Sequence, residues 1–151
     1  MTSIYYMTLL SHAIRFREAY NQEMQEGFTP DGFIKEKLFD LQQELIAEES
    51  NEFFEACHEL FKDQHNAAKQ ADLLKELADL VFVCYQFAAA FGLDLDTAMR
   101  RVFESNMSKL GEDGKPIYRA DGKVLKGPNY KRATVADLIP TNNPHYNPSG
   151  K

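Results

Sequence analysis

Five carboxylates at helical spacing carry the first chemistry in this 151-residue chain: Glu48, Glu49 and Glu52 in the run EESNE, and Glu76 and Asp79 in ELAD. On a helical wheel advancing roughly 100° per residue, Glu48 and Glu52 fall within about 20° of Leu41, and Glu49 falls beside Leu38 and Ala56. Glu76 and Asp79 border the stripe of Leu80, Val83 and Phe87 in the same way. Both clusters are therefore expected to look into a seam between two helices. Carboxylates set side by side in such a seam lose hydration and repel one another, so they must take up protons or gather cations. Ligation by oxygen alone, with no His or Cys in the pattern, selects hard Mg²⁺ or Mn²⁺ over zinc. The bland alternative is a solvated charge run on good helix formers. Two clusters, each aligned with its own helix's apolar stripe, argue against it.

Periodicity supplies the helices that such acids need. Helix A is expected over residues 3–25, with Leu9, Ala13, Phe16 and Tyr20 at helical spacing, stopping at Gly27 before the turn Thr29-Pro30-Asp31-Gly32. Helix B covers residues 35–61. Helix C starts at Asn66 or Lys69 and ends at Gly92, a residue suited to a left-handed cap. Beyond Leu77 it is apolar nearly all round, which makes it the central element and offers a face to a second subunit. Helix D follows Asp94 or Asp96, either a good N-cap, and runs to Leu110. The expected fold class is all-α: a four-helix bundle with B and C antiparallel so that their acids meet, then an irregular basic C-terminal arm, assembled as a homodimer or a dimer of dimers. One domain spans residues 1–139. The stretch PTNNPHYNPSGK, residues 140–151, lacks apolar periodicity and is expected to be a flexible tail.

Net charge is −6 and the isoelectric point is near 5.2, which argues against a constitutive nucleic-acid binder. The acidity reverses locally. From Lys109 to Arg132 there are seven Lys or Arg and three acids, with Asp-Gly-Lys steps at 113–115 and 121–123 that call for turns. Met99, Val102, Asn106 and Lys109 share one stripe of helix D, where a Lys beside an amide can neutralise and orient a phosphate oxygen. Basic groups combined with a metal-binding acidic centre suit a polyanionic ligand. Cys57 and Cys84 lack metal-ligand spacing and read as buried reduced thiols, fitting a reducing cytoplasm. The start MTSIYYMTLLSHAIRF has no leader pattern, and the apolar stretch 77–91 is too short to span a bilayer. No P-loop or Rossmann glycine pattern is present.

With these residues in place the chain resembles the all-α nucleoside triphosphate pyrophosphohydrolases, the MazG-like and dimeric dUTPase-like group. Their signature, EExxE followed by ExxD, is matched by Glu48, Glu49 and Glu52, then Glu76 and Asp79 after 23 intervening residues. SNMSKL at 105–110 and DGKPIYRADGKVLKGPNY at 113–130 resemble the phosphoribosyl-ATP pyrophosphohydrolase-like subgroup. The resemblance covers residues 11–138. It departs after Tyr130, where this chain reads KRATVADL in place of a Pro-Pro-Asp type of ending. The resemblance implies that Glu49, Glu52, Glu76 and Asp79 ligate Mg²⁺, with Mn²⁺ able to substitute, and that Glu48 positions or deprotonates the attacking water. It implies that Asn106 and Lys109 touch the triphosphate, together with Lys126 and Tyr130 from the arm. The implied reaction cleaves a nucleoside triphosphate, dUTP-like or another non-canonical or pyrimidine deoxynucleotide, to the monophosphate and pyrophosphate.

Two rival readings differ in testable ways. A di-iron carboxylate bundle needs Glu-x-x-His on two helices, and Glu55-Ala-Cys-His58 supplies one copy without a second. A catalytically silent helical interaction protein would gain no thermal stability from Mg²⁺ or Mn²⁺. The aromatic pairs Phe53-Phe54 and Tyr5-Tyr6 suit core, surface, dimer contact or a base pocket alike.

Overall fold

Why the helices begin and end where they do is largely a matter of caps. The computed structural model describes residues 7–25, 27 and 34–139, and its elements are α1 (Leu9–Ala19), α2 (Glu36–Lys62), α3 (Ala67–Ala90), α4 (Leu95–Met107) and a 3-10 turn at Ala136–Leu138. Among the described residues there is no strand beyond one isolated bridge, so the all-α class holds. Asn66 opens α3 by accepting from the Ala68 and Lys69 amides at 3.0 and 3.2 Å, a cap that contributes about 1 kcal/mol. Asp94 opens α4 by accepting from Thr97 N at 3.0 Å. Gly92, at φ 62°, closes α3 in the expected left-handed conformation. The residues fall into two compact units, one ending at Leu93 and the other Asp94–Ile139.

In the first unit α3 packs against both α1 and α2. Phe39 near the start of α2 meets Phe87 and Phe91 at the end of α3 edge to face, while Glu59 near the end of α2 meets Lys69 at the start of α3. The pair is therefore antiparallel, as expected. Leu38, Ala90 and the fully buried Phe91 form the core with Phe39, Phe87 and Leu93 against them. Burial of a side chain the size of Phe91 stabilises by about 2–3 kcal/mol.

Helix A is shorter than its periodicity suggested. It stops at Ala19 because Asn21 takes a left-handed φ of 51°, and the chain then runs across the end of α3, where Gln25 N and Gly27 N donate to the Ala90 and Phe91 carbonyls at 2.6 and 3.1 Å. Those carbonyls would otherwise be orphans of the α3 terminus. The expected helical start at 3–6 and the turn at 29–32 lie outside the described residues, as does the tail 140–151.

Buried Arg17 ties the three helices together. Its Nη1 donates to Gln42 Oε1 and Gln86 Oε1 at 3.5 and 3.3 Å, its Nε donates to the Glu23 carbonyl at 3.2 Å, and Gln86 Nε2 donates to the Ala13 carbonyl at 3.2 Å. This network sets the rotation of α2. The buried line runs through Leu38, Gln42 and Ala56, with Glu49 half-buried on it, whereas Leu41 is 50% exposed. The seam thus lies round from Leu41, and Glu48 falls on the exposed side rather than within it.

In the second unit α4 leads into the arm. Its helix ends at Met107, three residues before the expected Leu110, and the chain continues through a tighter turn in which Lys109 N and Leu110 N donate to the Asn106 and Met107 carbonyls. Both Asp-Gly-Lys steps form turns, with Asp113 and Asp121 accepting from the Lys115 and Lys123 amides and Gly114 and Gly122 at positive φ. Tyr118 and Val124 bridge antiparallel across the second of them, which makes the segment a hairpin-like excursion as expected. The divergent KRATVADL segment docks on α4. Lys131 N and Ala133 N donate to the Ser108 and Ser105 hydroxyls, and Arg101 pairs with both carboxylate oxygens of Asp137 at 2.5 and 2.8 Å.

Gly127 fixes the arm to the end of α4: its amide donates to the Lys109 carbonyl at 2.8 Å, and a Cβ there would overlap the Leu110 carbonyl and lie 2.7 Å from that of Lys109. Substitution Gly127→Ala is expected to lose about 1–3 kcal/mol of local stability by forcing this contact apart. Faster proteolysis within residues 111–126 checks it; unchanged cleavage would show that the contact yields freely.

Candidate active site

Antiparallel pairing of α2 and α3 brings three of the five expected acids together. Glu49, Glu76 and Asp79 offer carboxylate oxygens that all lie within 4.8 Å of one another. Glu76 is buried, Glu49 and Asp79 are half-buried, and Glu52 is exposed beside Glu76. An acidic groove of about 310 Å³ continues from Glu52 and Glu76 along Glu55, Ala56, Glu59 and Asp72.

The electrostatics are those of a site short of positive charge. Loss of hydration, then the charges of Glu52 and Asp79, push the Glu49 carboxyl up from its ordinary value against the pull of Lys75. Glu52 is pushed up by desolvation and then by Glu76. Lys75, unnoticed in the sequence, answers part of this repulsion: its ammonium lies 3.0 Å from Glu76 Oε1 and 2.9 Å from Asp79 Oδ2, and these hydrogen bonds raise its own pKa. The signal was present in the spacing, since Lys75 precedes Asp79 by four residues on one helix face.

A raised carboxyl pKa has a definite linkage sign. The folded state holds a proton at Glu49 after the unfolded state has lost it, so this group's contribution to stability falls as pH rises from the usual glutamate range through the raised folded value, and is flat above it. In chelator, the melting temperature of Glu49→Gln is expected to pull ahead of wild type as pH climbs through that window. A constant difference would mean that Glu49 is not perturbed.

Two oxygens, Glu49 Oε2 and Glu76 Oε2, are buried without a hydrogen-bond partner. Burying an acceptor unsatisfied is unfavourable by about 1–3 kcal/mol each, and a hard cation would satisfy both. The donor set therefore fits Mg²⁺ or Mn²⁺. No His belongs to the three-residue cluster, and both Glu55 and His58 are exposed, which leaves the di-iron reading without support. Glu48 stands on the exposed side of α2, outside the cluster.

The expected phosphate contacts gather in the second unit. Lys109 Nζ donates to Asn106 Oδ1 at 2.7 Å, and Lys126 Nζ sits 4.5 Å from the centroid of the Tyr130 ring. The Gly127 link to Lys109 and the Tyr130 amide's bond to the Gly127 carbonyl at 3.2 Å join these two pairs through the backbone. Cys57 and Cys84 are free and half-buried rather than buried, with burial pushing the Cys84 thiol up. Phe53 is half-buried and Phe54 is 65% exposed; Tyr5 and Tyr6 lie outside the described residues. Among the described residues no single helix is long and apolar enough to cross a membrane.

Comparison with curated proteins gives no match. The family model described as phosphoribosyl-ATP pyrophosphohydrolase matches residues 13–106, more than half of the chain, including all five acids and Asn106 but stopping short of Lys109, Lys126 and Tyr130. That family lies within the MazG-like all-α superfamily of metal-dependent hydrolases acting on phosphoanhydride bonds. With the paired acidic helices and the all-α fold in agreement, the chain belongs to the phosphoribosyl-ATP pyrophosphohydrolase family and is a nucleotide pyrophosphohydrolase.

Proposed function

We propose that the chain hydrolyses a nucleoside triphosphate to the monophosphate and pyrophosphate with Mg²⁺, Mn²⁺ being able to substitute, and that dUTP-like or other non-canonical or pyrimidine deoxynucleotides are its preferred substrates. The observation that carries the metal-dependent reading is the convergence of Glu49, Glu76 and Asp79 with two buried, unpartnered carboxylate oxygens. Glu49, Glu52, Glu76 and Asp79 would hold the cation. When bound, it supplies charge neutralisation and Lewis acidity toward a phosphoanhydride. Glu48, exposed and one residue before Glu49, would orient the attacking water or take its proton. Asn106, Lys109, Lys126 and Tyr130 would hold the triphosphate oxygens.

A pyrophosphate-release screen over the common ribo- and deoxynucleoside triphosphates, with phosphoribosyl-ATP included and with each metal in turn, tests the substrate class. Highest kcat/KM on a pyrimidine or non-canonical deoxynucleotide supports the preference. Highest kcat/KM on phosphoribosyl-ATP would replace it.

The working unit in this reading is a homodimer or a dimer of dimers. Phe54, Phe61 and Leu74 of α2 and α3 are 65, 76 and 68% exposed, apolar surface of the kind a second copy covers. Sedimentation at micromolar concentration is expected to give at least a dimer; a monomer would contradict it.

A further inference from the structure

The geometry points to Lys75 as the acidic cluster's own counter-ion, a tethered cation that a divalent metal displaces on binding. This rests on the metal reading above. The Lys75 ammonium lies 3.0 Å from Glu76 Oε1 and 2.9 Å from Asp79 Oδ2, and its charge pulls against the raised pKa of Glu49 and Glu52 beside them. Lys62 and Lys69, on the same two helices, are occupied elsewhere, since both pair with Glu59.

Without Lys75 the cluster would confront its own repulsion whenever metal is absent, and the ammonium bridges two of its acids directly, Glu76 and Asp79. That relief is incomplete. Glu49 Oε2 and Glu76 Oε2 remain without a partner, so a cation of higher charge has oxygens to gain that the lysine does not reach. A dication and an ammonium on the same small group of carboxylates repel each other strongly in a partly desolvated site. The lysine is the one free to move. Its side chain is 61% exposed on a flexible four-carbon stem, and a strongly hydrated ammonium returns readily to water. Metal entry is then an exchange in which one charge leaves and two arrive.

Calorimetric titration of Mg²⁺ into wild type, Lys75→Met and Lys69→Met tests the exchange. Lys75→Met is expected to bind Mg²⁺ about tenfold more tightly or better, the change that one interacting charge brings to a neighbouring site, while Lys69→Met matches wild type. A second readout uses the unaltered protein: acetylation of Lys75 by an amine-reactive ester, followed by mass spectrometry, should accelerate when Mg²⁺ is added, with Lys69 as the internal control. If wild type binds Mg²⁺ but Lys75→Met binds it equally or more weakly, or Lys75 labelling ignores the metal, Lys75 is a fixed partner of its carboxylates and the exchange is wrong. If wild type binds neither Mg²⁺ nor Mn²⁺, the metal reading itself fails and the exchange with it.

Discussion

Replacing any one of Glu49, Glu52, Glu76 or Asp79 by its amide is expected to abolish turnover while leaving the metal-free protein as stable as wild type or more so. Each substitution keeps the side chain's shape and removes one repelling charge from a crowded group. Loss of even an outer-shell partner of a metal site lowers affinity or activity by about 10–100-fold, so loss of a ligand should exceed that. Melting curves in chelator and kcat with saturating Mg²⁺ separate the two effects. A variant that loses activity together with its fold would show that the acids stabilise the helix pair instead. Glu48→Gln should behave differently, lowering kcat while leaving Mg²⁺ affinity intact, because Glu48 stands outside the cluster. Lost Mg²⁺ affinity would make it a ligand.

The second large effect is expected from the basic residues of α4 and the arm. Lys109→Met and Lys126→Met should each raise KM by roughly tenfold, the equivalent of one charge-assisted hydrogen bond lost to a phosphate oxygen. The wild-type KM should rise with ionic strength, and the double variant should lose much of that salt dependence. Point substitutions are cleaner than removing everything after Leu110, since truncation would also strip the docked Lys131, Ala133 and Asp137 from Ser108, Ser105 and Arg101. Unchanged KM in both variants would assign the arm to bracing the second unit.

What the sequence made legible follows from how local each feature is. The boundaries of α2, α3 and the start of α4 depend on apolar periodicity and on caps such as Asn66 and Asp94, all within a few residues, and they fell within one or two positions of expectation. The end of α1 depends on Gln25 and Gly27 finding the carbonyls of Ala90 and Phe91, partners more than sixty residues away that no local pattern reveals. The rotation of α2 likewise depends on a partner in another helix. A wheel scored on hydrophobicity favours Leu41, whereas the buried position is Gln42, which has Arg17 of another helix as its hydrogen-bond donor. The acids survived this error because Glu49 lies on the corrected seam and antiparallel pairing brings Glu76 and Asp79 to it. Lys75 carries no ligand signature of its own in the sequence, although a cluster of like charges needs a cation beside it.

The most direct test is ³¹P NMR of the products formed from the best triphosphate in the screen, with Mg²⁺, by wild type and by Glu76→Gln. Wild type should yield monophosphate and pyrophosphate in equal amounts, should stop when chelator is added, and should form no orthophosphate, while Glu76→Gln yields neither product. Orthophosphate and a diphosphate as the products, or equal pyrophosphate from both proteins, would contradict a pyrophosphohydrolase centred on the Glu49, Glu76 and Asp79 cluster.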